Sequence, residues 1–384
     1  MGSLFFYNPL SAEELKQRVW PRPKDSVDLR GTYFRDTTAI IHSYPFRRLK
    51  HKTQVFFAPK NDHICTRIEH VMHVSTIAAT ICRALALDSD LAWAIGLGHD
   101  LGHTPFGHLG ERILSKIIQE EGIPFPAFHH ELYSLRVIDH LANHGKGLNL
   151  SYAVRDGIAT HCGEQFEQSV KPDFQIKDLS SLHILEQYPA TWEGCVVRMA
   201  DKVAYLGRDL EDALQLKIIQ RDQIPSSAVR ILGDSNSEII NSLVNDIISE
   251  SNRTGMIGFS KEVFQALLIL KDFNYRTIYG GPVLTGYHDY FTRILRTLHT
   301  YLKEIYQKYG DTFSAYSREN NRLASRFSDY LFKMKDFYSG VDGGFQFAVI
   351  DYLAGMTDDF AMECVQEIMI PRKFEYRFDE EVLS

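Results

Sequence analysis

Between Gly96 and Glu111 the chain reads Gly-Leu-Gly-His-Asp-Leu-Gly-His-Thr-Pro-Phe-Gly-His-Leu-Gly-Glu, three histidines and two carboxylates set among glycines. Imidazoles and carboxylates at such spacing are the usual material of metal and acid–base sites. The enrichment extends outward, since 11 of the 16 histidines fall between His63 and His161. With His70 and Asp201, the pair His99-Asp100 makes a mixed N/O donor set drawn from three separated segments. That set suits Mn²⁺, Fe²⁺, Co²⁺, Zn²⁺ or Mg²⁺, and on an octahedral ion it leaves room for water or substrate. Water on such an ion has a lowered pKa and attacks near neutral pH. No thiolate candidate accompanies the set, which argues against a structural zinc centre. Arg67 and Lys202 add positive charge, and His103, His108 and His130 are spare imidazoles. Cations beside a hydrolytic metal point to a phosphorylated substrate. The plain alternative for the Gly/His stretch is a buried ion pair with helix-capping glycines.

Helices must hold these groups. Leu91, Ala92, Trp93, Ala94, Ile95 and Leu97 predict a buried helix running into the stretch, with Pro105 breaking the chain afterwards. Gly96, Gly98 and Gly102 each cost a helix about 1 kcal/mol against alanine, which usually marks close approach of a neighbour. Thr66-Arg67-Ile68-Glu69-His70 opens a long helix through Val71, Val74, Ile77, Ala78, Ile81 and Leu85. Further helices are expected from Glu111 to Glu121, through Leu132, Leu135, Val137, Ile138 and Leu141, and from Ala153 to His161 with a cap at Gly163. Between Trp192 and Asp212, helical register puts Asp201, Tyr205 and Asp209 at i, i+4 and i+8, hence on one face. The basic run from Arg47 to Lys52 reads either as a solvated face or as a cationic wall beside an anionic ligand. The tail through Asp351 to Asp358 is expected to stay helical until Pro371, and few alternating patterns suggest strands.

Composition bounds the rest. The chain has 384 residues, 44% hydrophobic and 24% charged, which is ordinary globular composition with enough apolar residues for a large core. A net charge of -7 and a pI near 6.1 argue against a dedicated nucleic-acid binder. The five cysteines are scattered and form no Cys-x-x-Cys pair, as expected of free thiols in a reducing compartment. The first residues lack the basic and apolar regions of a signal peptide, and no apolar run has membrane-spanning length. A cytoplasmic protein without a membrane partner is therefore expected.

The order His70, His99-Asp100, Asp201 resembles the pattern of the HD phosphohydrolase superfamily. A larger set narrows the resemblance: Phe46-Arg47-Arg48-Leu49, Thr53-Gln54-Val55-Phe56, Thr66 to His70, His99 to Glu111, His129-His130-Glu131, Asp201-Lys202, Tyr205, Asp209, and Asp351 to Asp358. Together these are similar to the bacterial dGTPase-like deoxynucleoside triphosphate triphosphohydrolases and, more distantly, to the vertebrate SAM- and HD-domain dNTPase. The resemblance spans about residues 30 to 365. It implies an all-α fold, an HD-domain helical bundle with additional C-terminal helices. Residues 1–30 would be a lead-in and 31–384 a single catalytic domain, with the HD core at about 60–215 and a helical C-terminal part at about 216–370.

The reaction implied is dNTP, dGTP among them, plus water giving deoxynucleoside and inorganic triphosphate. Carried over by the same resemblance, His70, His99, Asp100 and Asp201 hold the metal, and a second Mg²⁺ binds with the triphosphate. His108, Glu111 and His130 are catalytic. Gln54, Arg67, His103, Lys202, Tyr205, Asp209 and Tyr275 bind substrate, with Gln54 and Asp209 on the sugar 3′-OH and Tyr205 against the deoxyribose. A homo-oligomer, hexamer or tetramer, with an allosteric nucleotide between subunits is also implied. Two other readings stay open: another HD phosphohydrolase, such as a nucleotidase or phosphodiesterase, and a nucleotide sensor that binds single-stranded nucleic acid weakly.

Overall fold

Apolar residues at helical spacing govern nearly every element of the computed structural model, which describes residues 6–21, 29–57, 63–124, 127–162, 166–181, 187–340 and 344–370. Among these residues the named strands are Ser169–Val170 and Ile257–Gly258, paired antiparallel with Ser169 opposite Gly258. The fold is all-α. No helix among the described residues is long and apolar enough to cross a membrane.

The helices that build the site, labelled in chain order, begin with α1 (Thr32–His42) and α2 (Arg67–Ala84). A capping box starts α2: the Glu69 carboxylate accepts from the Thr66 backbone N–H at 2.7 Å. Next come α3 (Ser89–Gly98), α4 (Gly107–Glu120), α5 (His130–Arg136) and α6 (Tyr152–Ala159). Asp88 caps α3 by accepting from the N–H groups of Asp90 and Leu91. The longest element, α7 (Trp192–Gln215), starts where the Thr191 hydroxyl accepts from Gly194 N–H. Helix α3 packs against α1, α2, α6 and α7, so it runs through the centre of the HD portion. Close approach of α2 to α3 requires Gly96, where a Cβ would fall 2.6 Å from Ser75 Oγ.

The C-terminal helices are α8 (Lys261–Asn274), α9 (His288–Tyr309), α10 (Arg322–Ser339), α11 (Gly344–Ala354) and α12 (Asp358–Met369). Helix α9 packs on α4, α11 and α12. Two buried carboxylates tie this portion to the site helices. Asp351 accepts from the Tyr133 hydroxyl at 2.7 Å and from Arg136 at 2.9 and 2.7 Å. Asp358 accepts from the backbone N–H groups of Thr53 and Phe106, each at 2.9 Å.

Several boundaries differ from the sequence expectation. The buried helix ends at Gly98, so His99 and Asp100 sit in a tight turn rather than on the helix. Helix α4 begins at Gly107, ahead of Glu111. The helix through Leu141 changes to a π turn at Val137–Leu141. The tail is broken at Gly355-Met356-Thr357, where Thr357 caps α12. Gly163 and the residues beyond 370 lie outside the described residues. The basic run divides: Arg47 and Lys50 are exposed, whereas Lys52 is buried and its ammonium donates to the carbonyls of His103 and Ala354. Lys52 is thus neither a solvated face nor an open wall, because its backbone partners fix it inside the fold.

Asp212, at the C-terminal end of α7, gives a stability prediction. Its Oδ2 accepts from Cys65 N–H at 3.0 Å, while buried Oδ1 has no partner. Burial pushes its carboxyl up to about 6 from the ordinary 3.8. A folded-state pKa above the unfolded one means stability is lost as pH rises through this window and stays lost above it. Asp212→Asn keeps the acceptor and removes the charge. Urea unfolding should find it equal to the parent near pH 4 but more stable at pH 8 by on the order of 1–3 kcal/mol. A variant no more stable at pH 8 would refute the burial argument.

Candidate active site

The turn after α3 is the centre of the site. His99 donates from Nδ1 to the Gly96 carbonyl at 2.7 Å, which leaves the Nε2 lone pair free. That Nε2 is buried without a hydrogen-bond partner and faces Asp100 Oδ1 at 3.4 Å and Asp201 Oδ1 at 3.8 Å. A lone pair against two carboxylates is unfavourable unless a cation lies between them, so the residues present fit a metal ion. His70 completes the group from α2, with Nε2 3.0 Å from Asp201 Oδ1 and 3.8 Å from Asp100 Oδ2. Ligand atoms of His70, His99 and Asp201 lie within 4.8 Å of one another, as do those of His99, Asp100 and His161. Burial pushes the Asp100 carboxyl upward, but His103, His99 and Arg67 outweigh it and hold it well below the usual range. Asp201 is lowered in the same way by His70 and His99 against its burial.

A second cluster adjoins the first. His103 Nε2 is 3.1 Å from Asp100 Oδ1, and its ring stacks on His130 at 4.0 Å between centroids. Helix α4 carries His108 and Glu111 one turn apart, with His108 Nδ1 3.1 Å from Glu111 Oε2. The other Glu111 oxygen accepts the His130 backbone N–H at 2.7 Å and lies 3.3 Å from His130 Nδ1. Glu111 therefore bridges both imidazoles. The His108 side chain is 66% exposed, so it is open to a ligand, whereas His130 is buried. Burial disfavours charge on His130, yet Glu131 and Glu111 outweigh it and push its pKa up to about 10. His130 is thus an imidazolium at neutral pH. Ligand atoms of His103, His108, Glu111 and His130 lie within 4.8 Å of one another.

The remaining candidates divide. Arg67 is buried and sits directly on Asp100, 2.6 Å from Oδ2. Its Nη2 donates to the Gln54 carbonyl at 3.4 Å, while Gln54 Oε1 is buried without a partner. Tyr205 is half-buried, one turn beyond Asp201 on α7. Asp209, a turn further, is buried, and its pKa is pushed up to about 7 by burial. Two expected substrate residues are not drawn into the clusters. Lys202 pairs with Glu167 at 3.2 Å and lies over the Phe166 ring. Tyr275 is 52% exposed and meets Tyr279 edge to face at 5.1 Å.

Four residues beside the site were given no role in the sequence reading. His161 packs its ring 4.8 Å from His99, with Nε2 unpartnered and its pKa lowered to about 4 by burial and by His99 and His130. Its position inside the histidine-rich quarter was the available signal, but it read as a helix end. Tyr279 donates its hydroxyl to Asp209. Glu131 is buried beside His130, with Oε2 3.5 Å from Nδ1. Cys162 corrects the expectation that no thiol accompanies the site, because Sγ lies within 4.8 Å of ligand atoms of His130 and Glu131. The helix end brings it there, and spacing along the chain carried no sign of it.

Gly102 locks the turn to α5. Its N–H donates to Ser134 Oγ at 2.8 Å, and Ser134 Oγ donates to the His99 carbonyl at 2.6 Å. A Cβ at Gly102 would fall 2.2 Å from Ser134 N and 2.6 Å from the His130 carbonyl, all rigid backbone. Gly102→Ala should therefore force α5 away and destabilise the fold by roughly 3 kcal/mol or more. Thermal unfolding checks this, and a Tm within a degree of the parent would contradict the packing.

Comparison with known proteins agrees with this geometry. The HD domain family matches residues 67–206, and the phosphohydrolase-associated domain family matches residues 257–367. A deoxyguanosinetriphosphate triphosphohydrolase-like protein of Caldanaerobacter subterraneus subsp. tengcongensis is 35% identical over 364 residues, covering 95% of this chain and 92% of the relative. A protein of the same description from Desulfatibacillum aliphaticivorans is 36% identical over 371 residues, covering 96% of each chain. One from Clostridium tetani is 32% identical over 369 residues, covering 94% of this chain and 91% of the relative. With the His70, His99-Asp100 and Asp201 cluster in place at the centre of an all-α fold, the chain belongs to the HD-domain phosphohydrolases of the deoxyguanosinetriphosphate triphosphohydrolase-like family.

Proposed function

We propose that the protein hydrolyses deoxynucleoside triphosphates, dGTP among them, to deoxynucleoside and inorganic triphosphate by attack of water at the α-phosphorus. The observation that carries this reading is the buried His99 Nε2 lone pair facing two carboxylates beside a bridged imidazole pair. His70, His99, Asp100 and Asp201 would hold a divalent ion, Mn²⁺, Mg²⁺, Fe²⁺, Co²⁺ or Zn²⁺. When bound, it supplies an acidified water and charge stabilisation at the phosphoryl group. A second Mg²⁺ would arrive with the triphosphate, held by few protein groups.

The chain's own residues then divide the work. His108 is exposed enough to reach the leaving 5′-oxygen and is oriented by Glu111. His130, kept cationic by Glu131 and Glu111, adds positive charge beside the phosphates. His103 holds Asp100 and stacks on His130, next to the bound substrate. Arg67 and Lys202 contact phosphates, Lys202 by exchanging its Glu167 partner for the substrate. Tyr205 packs against the deoxyribose and excludes a 2′-OH by contact, while Gln54 and Asp209 hold the 3′-OH and Tyr275 lines the outer wall. Residues 31–384 act as one catalytic unit in a cytoplasmic homo-oligomer, a hexamer or tetramer, with an activating nucleotide between subunits. Weak binding of single strands belongs to the alternative reading of a nucleotide sensor.

Product analysis with each of the four dNTPs, dGMP and GTP, under Mn²⁺ or Mg²⁺, tests the reaction. Triphosphate release from dNTPs is expected, with little from GTP. Release of only single phosphates, or turnover of dGMP alone, would favour another HD phosphohydrolase. Asp201→Ala should lose both tightly bound metal and turnover while circular dichroism keeps its helical signal; wild-type metal content would sink the ligand assignment.

The proton carrier makes a separate prediction. His108→Ala should lower kcat by roughly 10²–10⁴-fold at saturating dNTP with a modest change in KM. A phosphate contact would instead raise KM chiefly. Retention of kcat within a few-fold removes His108 from proton transfer.

A further inference from the structure

Cys162 brings sulfur into a group that the proposed reaction does not use. Ligand atoms of His130, Glu131 and Cys162 all lie within 4.8 Å of one another. Glu131 is 5% exposed, and its Oε2 has no hydrogen-bond partner although it lies 3.5 Å from His130 Nδ1. This buried carboxylate faces the His130 imidazolium and the Cys162 thiol, and a metal ion can take the place of their two protons. The backbone carrying the thiol is held firmly. Buried Arg198 donates from Nη1 to the carbonyls of Thr160 and Cys162, at 2.9 and 2.7 Å. Arg198 lies one turn before Asp201 on α7, so the same helix positions both groups.

We propose that His130, Glu131 and Cys162 form a second metal site, separate from the His70, His99, Asp100 and Asp201 group and selective for thiophilic divalent cations of the Zn²⁺ and Cd²⁺ class. One imidazole, one carboxylate and one thiolate are a zinc-type donor set, and a water or Glu111 Oε1, 3.3 Å from His130 Nδ1, fills the fourth place. Binding sends two protons to solvent, one from the Cys162 thiol and one from the His130 imidazolium, and the thiolate and carboxylate together balance the two positive charges. Mn²⁺ and Mg²⁺ avoid sulfur, so this site refuses ions that the first group accepts. An ion here removes the His130 proton and so stops turnover. That consequence rests on the catalytic reading of His130; the site itself does not.

The test uses the Mn²⁺-loaded enzyme titrated with Cd²⁺, read by the ultraviolet thiolate-to-cadmium charge-transfer band. Cys65, Cys82, Cys195 and Cys364 are buried, and none joins a metal-binding group among the described residues, so the band reports Cys162. The expected result is a saturable band at one Cd²⁺ per chain that is absent from Cys162→Ser. Glu131→Gln should need about tenfold more Cd²⁺ for half-saturation. No band in the parent, an undiminished band in Cys162→Ser, or an unchanged midpoint in Glu131→Gln would overturn the proposal. Zn²⁺ should inhibit the parent at concentrations that leave Cys162→Ser active. A Cys162-dependent band without any inhibition keeps the site and removes His130 from the catalytic machinery.

Discussion

Two carboxylates, Asp100 and Asp201, are packed inside a helical core, and their charge must be answered there. Removing one partner of such a buried pair strands a charge and costs roughly 3–5 kcal/mol. The answering groups come from every side: Arg67 at 2.6 Å and His103 at 3.1 Å on Asp100, and His70 at 3.0 Å on Asp201. Helices α2 and α7 and the turn after α3 are therefore held in register by electrostatics as well as by apolar packing. His99 is the exception, because its buried Nε2 meets both carboxylates without a hydrogen bond. The same imbalance that makes the cluster costly without a cation makes it a site for one.

The C-terminal portion takes part in this arrangement. Asp358 accepts from Phe106 and Thr53 and so fixes the chain on either side of the Gly/His stretch. Lys52 joins the His103 carbonyl to the end of α11 through Ala354. Asp351 gathers Tyr133, Arg136 and Tyr338 and thereby holds α5, which presents His130. The bonds from Asp358 to Phe106 and from Asp351 to Tyr133 and Arg136 pass between the HD and phosphohydrolase-associated regions. The second region is thus part of the site's support.

Neighbouring imidazoles differ sharply in charge because their surroundings differ. His130 stands between two carboxylates and holds its proton, while His161, buried beside two other histidines, loses it easily. One cluster thus offers a fixed cation, a neutral ring and an exposed, carboxylate-oriented ring at His108. Environment alone thus sets neighbouring imidazoles of one small volume to different charges.

The helices were legible because their apolar positions recur at helical spacing. The Asp201, Tyr205, Asp209 face was legible from register on a single helix, and His70 and the HD pair from residue type and their likeness to the HD pattern. The turn after Gly98 was not, because α3's apolar pattern continues through Leu97 and gives no sign that packing against Ser134 ends the helix there. Lys52 read as a solvent-facing or ligand-facing cation, since nothing local reveals that two backbone carbonyls from distant segments enclose it. His161, Glu131, Cys162 and Tyr279 depended wholly on tertiary structure. Their partners lie far away in sequence, and the close approach of α5, α6 and α7 is set by side-chain volume and buried charge, which only the folded chain combines.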